Sequence, residues 1–347
     1  MKRLTISSIA ELAGVSKATV SRVLNGYPHI SPEVREQVEA VIKETGYQPN
    51  QVARSLASDR SNIIGLVIPK GTEAVFLDPY FPALTNGITQ VSNNNGLTLA
   101  LFIFHSEQEG QDTIKSIVNT GLLDGLILTT DRVTFDRTTD PFIPQLVERN
   151  IPFVLIGRPD NPSDDIPYID TNNVLGGYIA TRHLIDLGYE RIATVTSRYN
   201  PAGDDRFAGY TQALEECGRE VDMNLVAYGD YTLESGYREM KTLIPHKPDA
   251  VFVASDTMAL GALRAINEAN LVVPDDIAVV GHDDLPPAVQ ATPQLTTVRQ
   301  SVEKLGGQAV EMLLEIINSK EDIKRQVLLP SKLVIRASCG AKRKKAT

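Results

Sequence analysis

The chain has 347 residues, 42 % hydrophobic and 22 % charged, with a formal net charge of −9 and two cysteines, Cys217 and Cys339. That composition predicts a globular protein of two or three domains with a sizeable core. The longest apolar run, 97–104, falls far short of the ~20 residues that span a bilayer, no apolar signal region follows Lys2 and Arg3, and the cysteines have neither metal-ligand nor disulfide spacing, so a cytoplasmic protein without membrane, metal or cofactor is expected.

The charge is unevenly spread. Residues 1–60 hold eight Lys/Arg against six Asp/Glu, while the remainder holds 26 against 37. A slightly basic head on an acidic body predicts two partners of different kinds.

Residues 5–13 read as a short helix with Ile6, Ile9, Ala10 and Ala13 on one face, and Gly14 breaks it. Ser16 is placed as the N-cap of a second helix, with Val15 and Val20 as a hydrophobic staple. Val20, Val23 and Leu24 form its inner side. Ala18, Ser21, Arg22 and Asn25 form its outer side, and Lys17 joins them at the helix start. That outer face is short, polar and free of acid. Arg22 can make two bonds to a guanine edge, while Ser16, Thr19, Ser21 and the helix start can meet phosphates. Two helices about a tight Gly turn are the helix-turn-helix pattern. The plain alternative is an amphipathic pair packed on its own domain.

Ser31-Pro32-Glu33 is a strong start for a third helix, which Gly46 ends and Pro49 keeps from resuming. In QPNQVARSLAS, residues 48–58, Asn50 can cap a helix over 51–58 that is too short to be stable alone. A segment that folds on contact and shows Val52, Ala53 and Leu56 on one side fits a minor-groove wedge. The alternative is a plain linker.

The stretches TISSIAELAGVSKATVSRVLNG and ISPEVREQVEAVIKETGYQPNQVARSLAS resemble the N-terminal module of the lactose/galactose repressor (LacI/GalR) family of bacterial regulators. The resemblance implies a lambda-repressor-like, three-helix DNA-binding domain over 1–49, then a hinge helix and linker over 50–60. It places base reading on Lys17, Ala18 and Arg22, and the wedge on Leu56. Thr5, Asn25, Asn50 and Ala53 complete the implied DNA-contacting set with Ser16, Thr19 and Ser21. Ala18 has no hydrogen-bonding group, so discrimination leans on Lys17 and Arg22.

From Ser61 the periodicity changes. Short apolar runs at 63–69, 97–104, 124–128, 152–157, 191–196, 249–255 and 276–281 alternate with amphipathic stretches at 82–95, 108–120, 174–187, 205–217, 257–269 and 301–318. Apolar strands with intervening helices predict parallel sheets covered on both faces, and this many alternations predict two sheets.

Such sheets bind ligands beyond the C-terminal ends of their strands. The residues expected there include Asp78, Tyr80 and Phe81, Arg158, Asp204 to Arg206, Ser255-Asp256 and His282-Asp283-Asp284. Carboxylates, an Arg fork and aromatic rings suit a polyhydroxylated ligand. Asp204 and Asp256 read equally as helix caps, and Tyr80 and Phe81 as core. His282-Asp283 lacks a nucleophile, and the chain has no phosphate loop, so no enzyme is expected.

The resemblance continues to about Ser338 through DPYFPAL, IPFVLIGRP, DRFAGY, GDYTLESGYREM, VASDTMALGALRAI, IAVVGHDDLP and PQLTTVRQ. It implies a periplasmic-binding-protein-like core of two α/β subdomains joined by three crossovers, with ligand between them. The implied ligand contacts are Arg158, Arg206, Tyr231, Ser255 and Asp283, with Tyr80 and Phe81 as the opposing wall. His282 and Asn172 depart from the family, which often has Tyr and Asp there. IPFVLIGRP is more similar to regulators of glucoside use than to purine regulators. The implied core covers 61–340. Its first subdomain takes about 61–160 and 295–322, and its second about 161–294 and 323–340. A basic tail, 341–347, with Lys342, Arg343, Lys344 and Lys345, is expected to be solvated.

These readings predict a repressor of sugar-utilisation genes that binds a near-palindromic operator in double-stranded DNA as a homodimer. A mono- or disaccharide effector would sit in the cleft. The competing expectations are a transport-type sugar-binding protein and a sugar-processing enzyme with a regulatory head.

Overall fold

The computed structural model describes residues 4–24, 27–47, 60–69, 71–104, 115, 122–130, 143–159, 166–198, 200–319 and 325–341. Asn25, Asn50, Ala53, Leu56, the expected 51–58 helix and the basic residues 342–345 lie outside them. The chain divides into two compact units, Met1–Asn62 and Ile63–Thr347.

The first unit holds α1 (Ile6–Leu12), α2 (Lys17–Leu24) and α3 (Pro32–Thr45). Each start is fixed locally. Thr5 and Ser8 exchange side-chain and backbone hydrogen bonds in a capping box. Ser16 Oγ accepts the Thr19 N–H at 3.1 Å, and Ser31 caps α3 with Pro32 at its first position. Gly46 ends α3 in the left-handed conformation, φ +60°, its N–H donating to the Ile42 carbonyl. Ile9, Ala10, Ala13, Val20, Val23 and Val38 close a small core. Gln37 Nε2 donates to the Ala13 carbonyl at 2.9 Å, tying α3 to the end of α1.

The second unit contains two six-stranded sheets among the described residues. The strands are β1 (Ile63–Ile68), β2 (Thr98–Ile103), β3 (Gly125–Thr129), β4 (Phe153–Ile156), β5 (Tyr168–Thr171), β6 (Ile192–Thr196), β7 (Val226–Tyr228), β8 (Ala250–Val253), β9 (Ala278–Asp283), β10 (Thr296–Arg299), β11 (Gln326–Leu329) and β12 (Lys332–Val334). The first sheet runs β11-β5-β4-β3-β1-β2 and the second β12-β10-β9-β8-β6-β7. All pairings are parallel except β10 with β12. The central strands are buried end to end, because helices cover both faces of each sheet.

The helices are α4 (Thr72–Leu77), α5 (Tyr80–Asn94), α6 (Ile143–Glu148), α7 (Asn173–Asp186), α8 (Pro201–Glu215), α9 (Leu233–Leu243), α10 (Asp256–Glu268), α11 (Pro286–Gln290) and α12 (Val302–Asn318). The chain passes between the sheets three times: from β5 into α7, from β10 into α12, and from β11 into β12.

This topology corrects the expected subdomain limits. Residues 168–171 and 326–329, expected in the second subdomain, are strands of the first sheet, and 296–299, expected in the first, is a strand of the second. The chain therefore changes lobe immediately after β5, after β10 and after β11. These segments carry Asp170, Thr171, Thr296 and Thr297, polar residues that interrupt an apolar run yet are buried. Their burial is decided by strand partners distant in the sequence.

Candidate functional site

In the first unit α2 turns Val20 and Val23 inward and leaves Ser16, Lys17, Ala18 and Arg22 exposed on the side away from the core. Thr19 and Ser21 are half-buried, and Thr5 is exposed at its cap. Among the described residues this face carries two cations and no carboxylate, a surface that can meet phosphates and base edges.

In the second unit the C-terminal strand ends of both sheets face one cleft, open at its mouth. Tyr80, Thr129, Thr130, Gly157, Arg158 and Asp170 line it from the first lobe. Asn173, Asn200, Arg206, Tyr231, Ser255, Asp283 and Gln300 line it from the second lobe and the crossovers.

Arg206 stands on the second turn of α8. This helix starts at Asn200, whose side chain accepts the Gly203 N–H at 2.7 Å, with Pro201 at the first position. Glycines set the helix against α7. A Cβ on Gly177 would collide with the Arg206 carbonyl, and one on Gly209 with the Val174 carbonyl. Arg206 is 5 % exposed, and its guanidinium donates to Asn173 Oδ1 at 2.9 Å and to the Ala254 carbonyl. It lies 3.8 Å from Asp283 Oδ1.

Asp283 ends β9 with φ +120°, followed by Asp284 at φ +60°. Two successive side-chain-bearing residues in this region are strained and must be held by their surroundings. Asp284 is held by Arg299, Nε to Oδ2 at 2.6 Å, and by Arg336. Gln300 Nε2 and the His282 ring reach Asp283 Oδ1 at 2.6 and 3.1 Å. Gln300 Oε1 accepts the Thr171 hydroxyl at 3.1 Å, so one side chain links Asp283 to the first crossover. Tyr231, with φ +68°, donates its hydroxyl to Asn200 Oδ1 at 3.0 Å.

Electrostatics follow from burial. Asp170 accepts from the Thr171 and Arg158 N–H groups and from Asn173, yet burial pushes its carboxyl up to about 6. Burial, then the charge of Asp283, pushes Asp256 well above the usual carboxylate range. Burial, then the Arg206 charge, pushes His282 down to about 4, so the ring is neutral near pH 7 and its Nδ1–H donates to Asp283. A neutral buried imidazole serves as a fixed donor here, not as a proton shuttle.

The structure separates the expected site residues. Tyr80, Arg158, Arg206, Tyr231, Ser255 and Asp283 all line the cleft. Phe81 does not: it is 1 % exposed in the first-lobe core, edge to face with Tyr80 at 5.4 Å. Helical geometry turns neighbouring side chains about 100° apart, so only one of an adjacent pair can face the cleft. The Arg158 fork is spent on Asp205, at 3.2 and 2.8 Å. Asp204 and Asp256 are not caps. Asn200 caps α8 and Ser255 caps α10, while Asp256 accepts the Thr297 hydroxyl and the Leu285 N–H. Asn172 caps α7 through the Leu175 N–H, beside the Ser331 crossover, whose hydroxyl donates to its carbonyl. Sequence reasoning missed Asp170, Asn173, Asn200 and Gln300. The Asn-Pro pair at 200–201 is a legible helix start, but nothing local marks the others.

Comparison with known proteins fits this geometry. Residues 5–50 match the family described as bacterial regulatory proteins, lacI family, and residues 181–339 match the periplasmic binding protein-like domain. The HTH-type transcriptional regulator CelR of Thermobifida fusca is 36 % identical over 97 % of this chain and 98 % of its own length. The HTH-type transcriptional repressor PurR of Erwinia tasmaniensis is 36 % identical over 96 % of each chain. Among solved structures, the CelR–cellobiose complex superposes with a TM-score of 0.76 at 35 % identity, covering 97 % of this chain and 100 % of that one. The lac repressor dimer bound to operator and the anti-inducer ONPF superposes with a TM-score of 0.83 at 29 % identity, covering 97 % and 99 %. An exposed basic helix face, a two-lobed cleft and full-length relatives agree: this chain belongs to the LacI family of bacterial regulatory proteins, ligand-responsive DNA-binding regulators of transcription.

Proposed function

We propose that this protein is a cytoplasmic repressor of sugar-utilisation genes that reads a near-palindromic operator as a homodimer and takes a mono- or disaccharide in its cleft. The observation that carries the sugar reading is the cleft floor. The Asp283 carboxylate is aimed by a strained backbone, the Arg206 guanidinium stands 3.8 Å from it, Asp170 lines the facing side, and the Tyr80 ring stands on the other wall. Carboxylate and amide oxygens accept from sugar hydroxyls, and an aromatic face covers C–H surface. The cellobiose complex of the related CelR supports this ligand class. On this reading Arg206, Tyr231, Ser255 and Asp283 hold the ligand, and Tyr80 packs over it.

Ligand that favours one lobe arrangement shifts the equilibrium between arrangements. The shift changes the spacing of the paired heads. Only one spacing lets both α2 helices enter the major groove while the 51–58 segments pair in the minor groove with Leu56 as the wedge. Lys17 and Arg22 read bases in this arrangement.

A thermal-shift screen of mono- and disaccharides and nucleobases tests the reading, followed by binding to operators selected from a randomised palindrome pool. Arg22→Ala lowers operator affinity with sugar affinity intact, and Arg206→Ala does the reverse. A nucleobase as the only stabiliser overturns the sugar reading, and loss of both activities in both folded variants overturns the two-site reading.

A further inference from the structure

Arg158 follows β4 and so belongs to the first lobe, while Asp205 lies in α8 of the second. Their side chains meet as a fork on a carboxylate, Nε to Oδ2 at 3.2 Å and NH2 to Oδ1 at 2.8 Å. Such two-point pairing fixes direction as well as distance. The pair is a quarter exposed, 27 % and 22 %, and sits at the rim. Arg206 and Asp283, at 6 % and 10 %, form the floor. Other ion pairs, such as Arg182–Asp186 and Arg264–Glu268, stay within one helix.

The Arg158 end is anchored. Its own N–H donates to Asp170 Oδ2 at 3.0 Å, at the first crossover, and its NH1 donates to the Pro159 carbonyl at 3.3 Å. The Asp205 end is carried on the helix turn that Gly177 and Arg206 hold against α7. A contact between two rigidly mounted groups on different lobes reports on lobe separation, and breaks when the lobes part.

We propose that Arg158 and Asp205 form an interlobe latch, a pairing that ties the two lobes together at the rim of the cleft and breaks when they part. Arg158 is then a gate residue whose fork is engaged by protein, and the latch strength sets how readily the cleft opens. The inference does not depend on which small molecule enters.

The test reads lobe separation directly, without ligand. Spin labels on Glu148→Cys and Asn267→Cys, exposed on the two lobes, are placed in a Cys217→Ser background. The labelled chain is diluted in excess unlabelled chain so that only intrachain distances register. Asp205→Asn is expected to shift or broaden the distance distribution by more than about 2 Å, the scale of a domain rearrangement. The charge swap Arg158→Asp with Asp205→Arg is expected to restore it, and Asp186→Asn, which breaks an ion pair within one helix, to leave it unchanged. Raising salt toward ~1 M in the chain with native Arg158 and Asp205 screens this rim pair and is expected to reproduce the Asp205→Asn distribution. A distribution unmoved by both Asp205→Asn and salt, or a shift that the swap fails to reverse, overturns the latch.

Discussion

His282 offers the sharpest test of the electrostatics. The ring is fully buried, its Nδ1–H is directed at Asp283, and Arg206 adds a positive charge nearby. Protonating it requires a second charge in the same buried space, which is why it falls from 6.5 to about 4. The unfolded chain takes up the proton near pH 6.5 and the folded protein near 4, so between those values the unfolded state holds more protons. Stability is therefore full above pH 6.5 and declines as pH falls toward 4. At ~1.4 kcal/mol per pH unit the gap amounts to about 3 kcal/mol. His282→Asn removes the titrating ring and retains an amide donor on the Asp283 side. Urea unfolding of the second unit, followed by circular dichroism from pH 8 to 4, should show native and variant stabilities separated by a constant offset above pH 6.5. Below that the native protein loses its ~3 kcal/mol relative to the variant. Asp170 acts with the opposite sign. Its carboxyl is raised from 3.8 to about 6, so it favours folding at low pH and loses that contribution as pH rises through 6. Asp170 is present in both proteins and cancels in the difference. A difference that stays flat from pH 6.5 to 4 would show that the ring is not held neutral, and would refute the burial argument.

Packing makes further predictions. Ile9→Ala in the first-unit core should cost ~2–5 kcal/mol, enough to unfold so small a module. Operator binding should vanish, while the second unit retains its thermal transition and its ligand. Phe81→Ala should destabilise the second unit by ~3–5 kcal/mol in urea, yet leave sugar affinity at low temperature near the native value, because Phe81 is core and not cleft wall. Gly177→Ala should weaken sugar binding although Gly177 does not line the cleft, since the added Cβ pushes on the Arg206 carbonyl and displaces the guanidinium. Calorimetric titration with the best sugar from the screen checks this, and unchanged affinity would show that α7 and α8 can separate without moving Arg206.

Much of the molecule was legible because its signals are local. The caps Ser16 and Ser31, the glycines at 14 and 46, and the inward positions Ile9, Val20 and Val38 set the three helices without reference to anything distant. The strands of IIGLVI, GLILT, FVLI, IATVT and AVFV are short apolar runs, as strands buried on both faces must be. Arg206 and Asp283 were reachable because they follow strand ends in the order a parallel sheet dictates, whereas Tyr231 was reached only through the family resemblance. What the sequence could not supply is which distant segments meet. Polar residues interrupt the apolar runs at YIDT and TTVR, and each becomes an inner strand only because a later segment, β11 or β12, pairs on its outer side. Tyr80 and Phe81 are chemically alike and adjacent, and the packing of α5 on its sheet chose one for the cleft and the other for the core. Arg158 as a sequence position reads as a free fork, but Asp205, 47 residues away, occupies it. Local chemistry by itself determined the head helices and their basic face, the apolar strands and part of the cleft's polar lining, Arg206 and Asp283 included. The tertiary structure decided their pairing, because burial, charge neutralisation and lobe closure are properties of groups brought together through space.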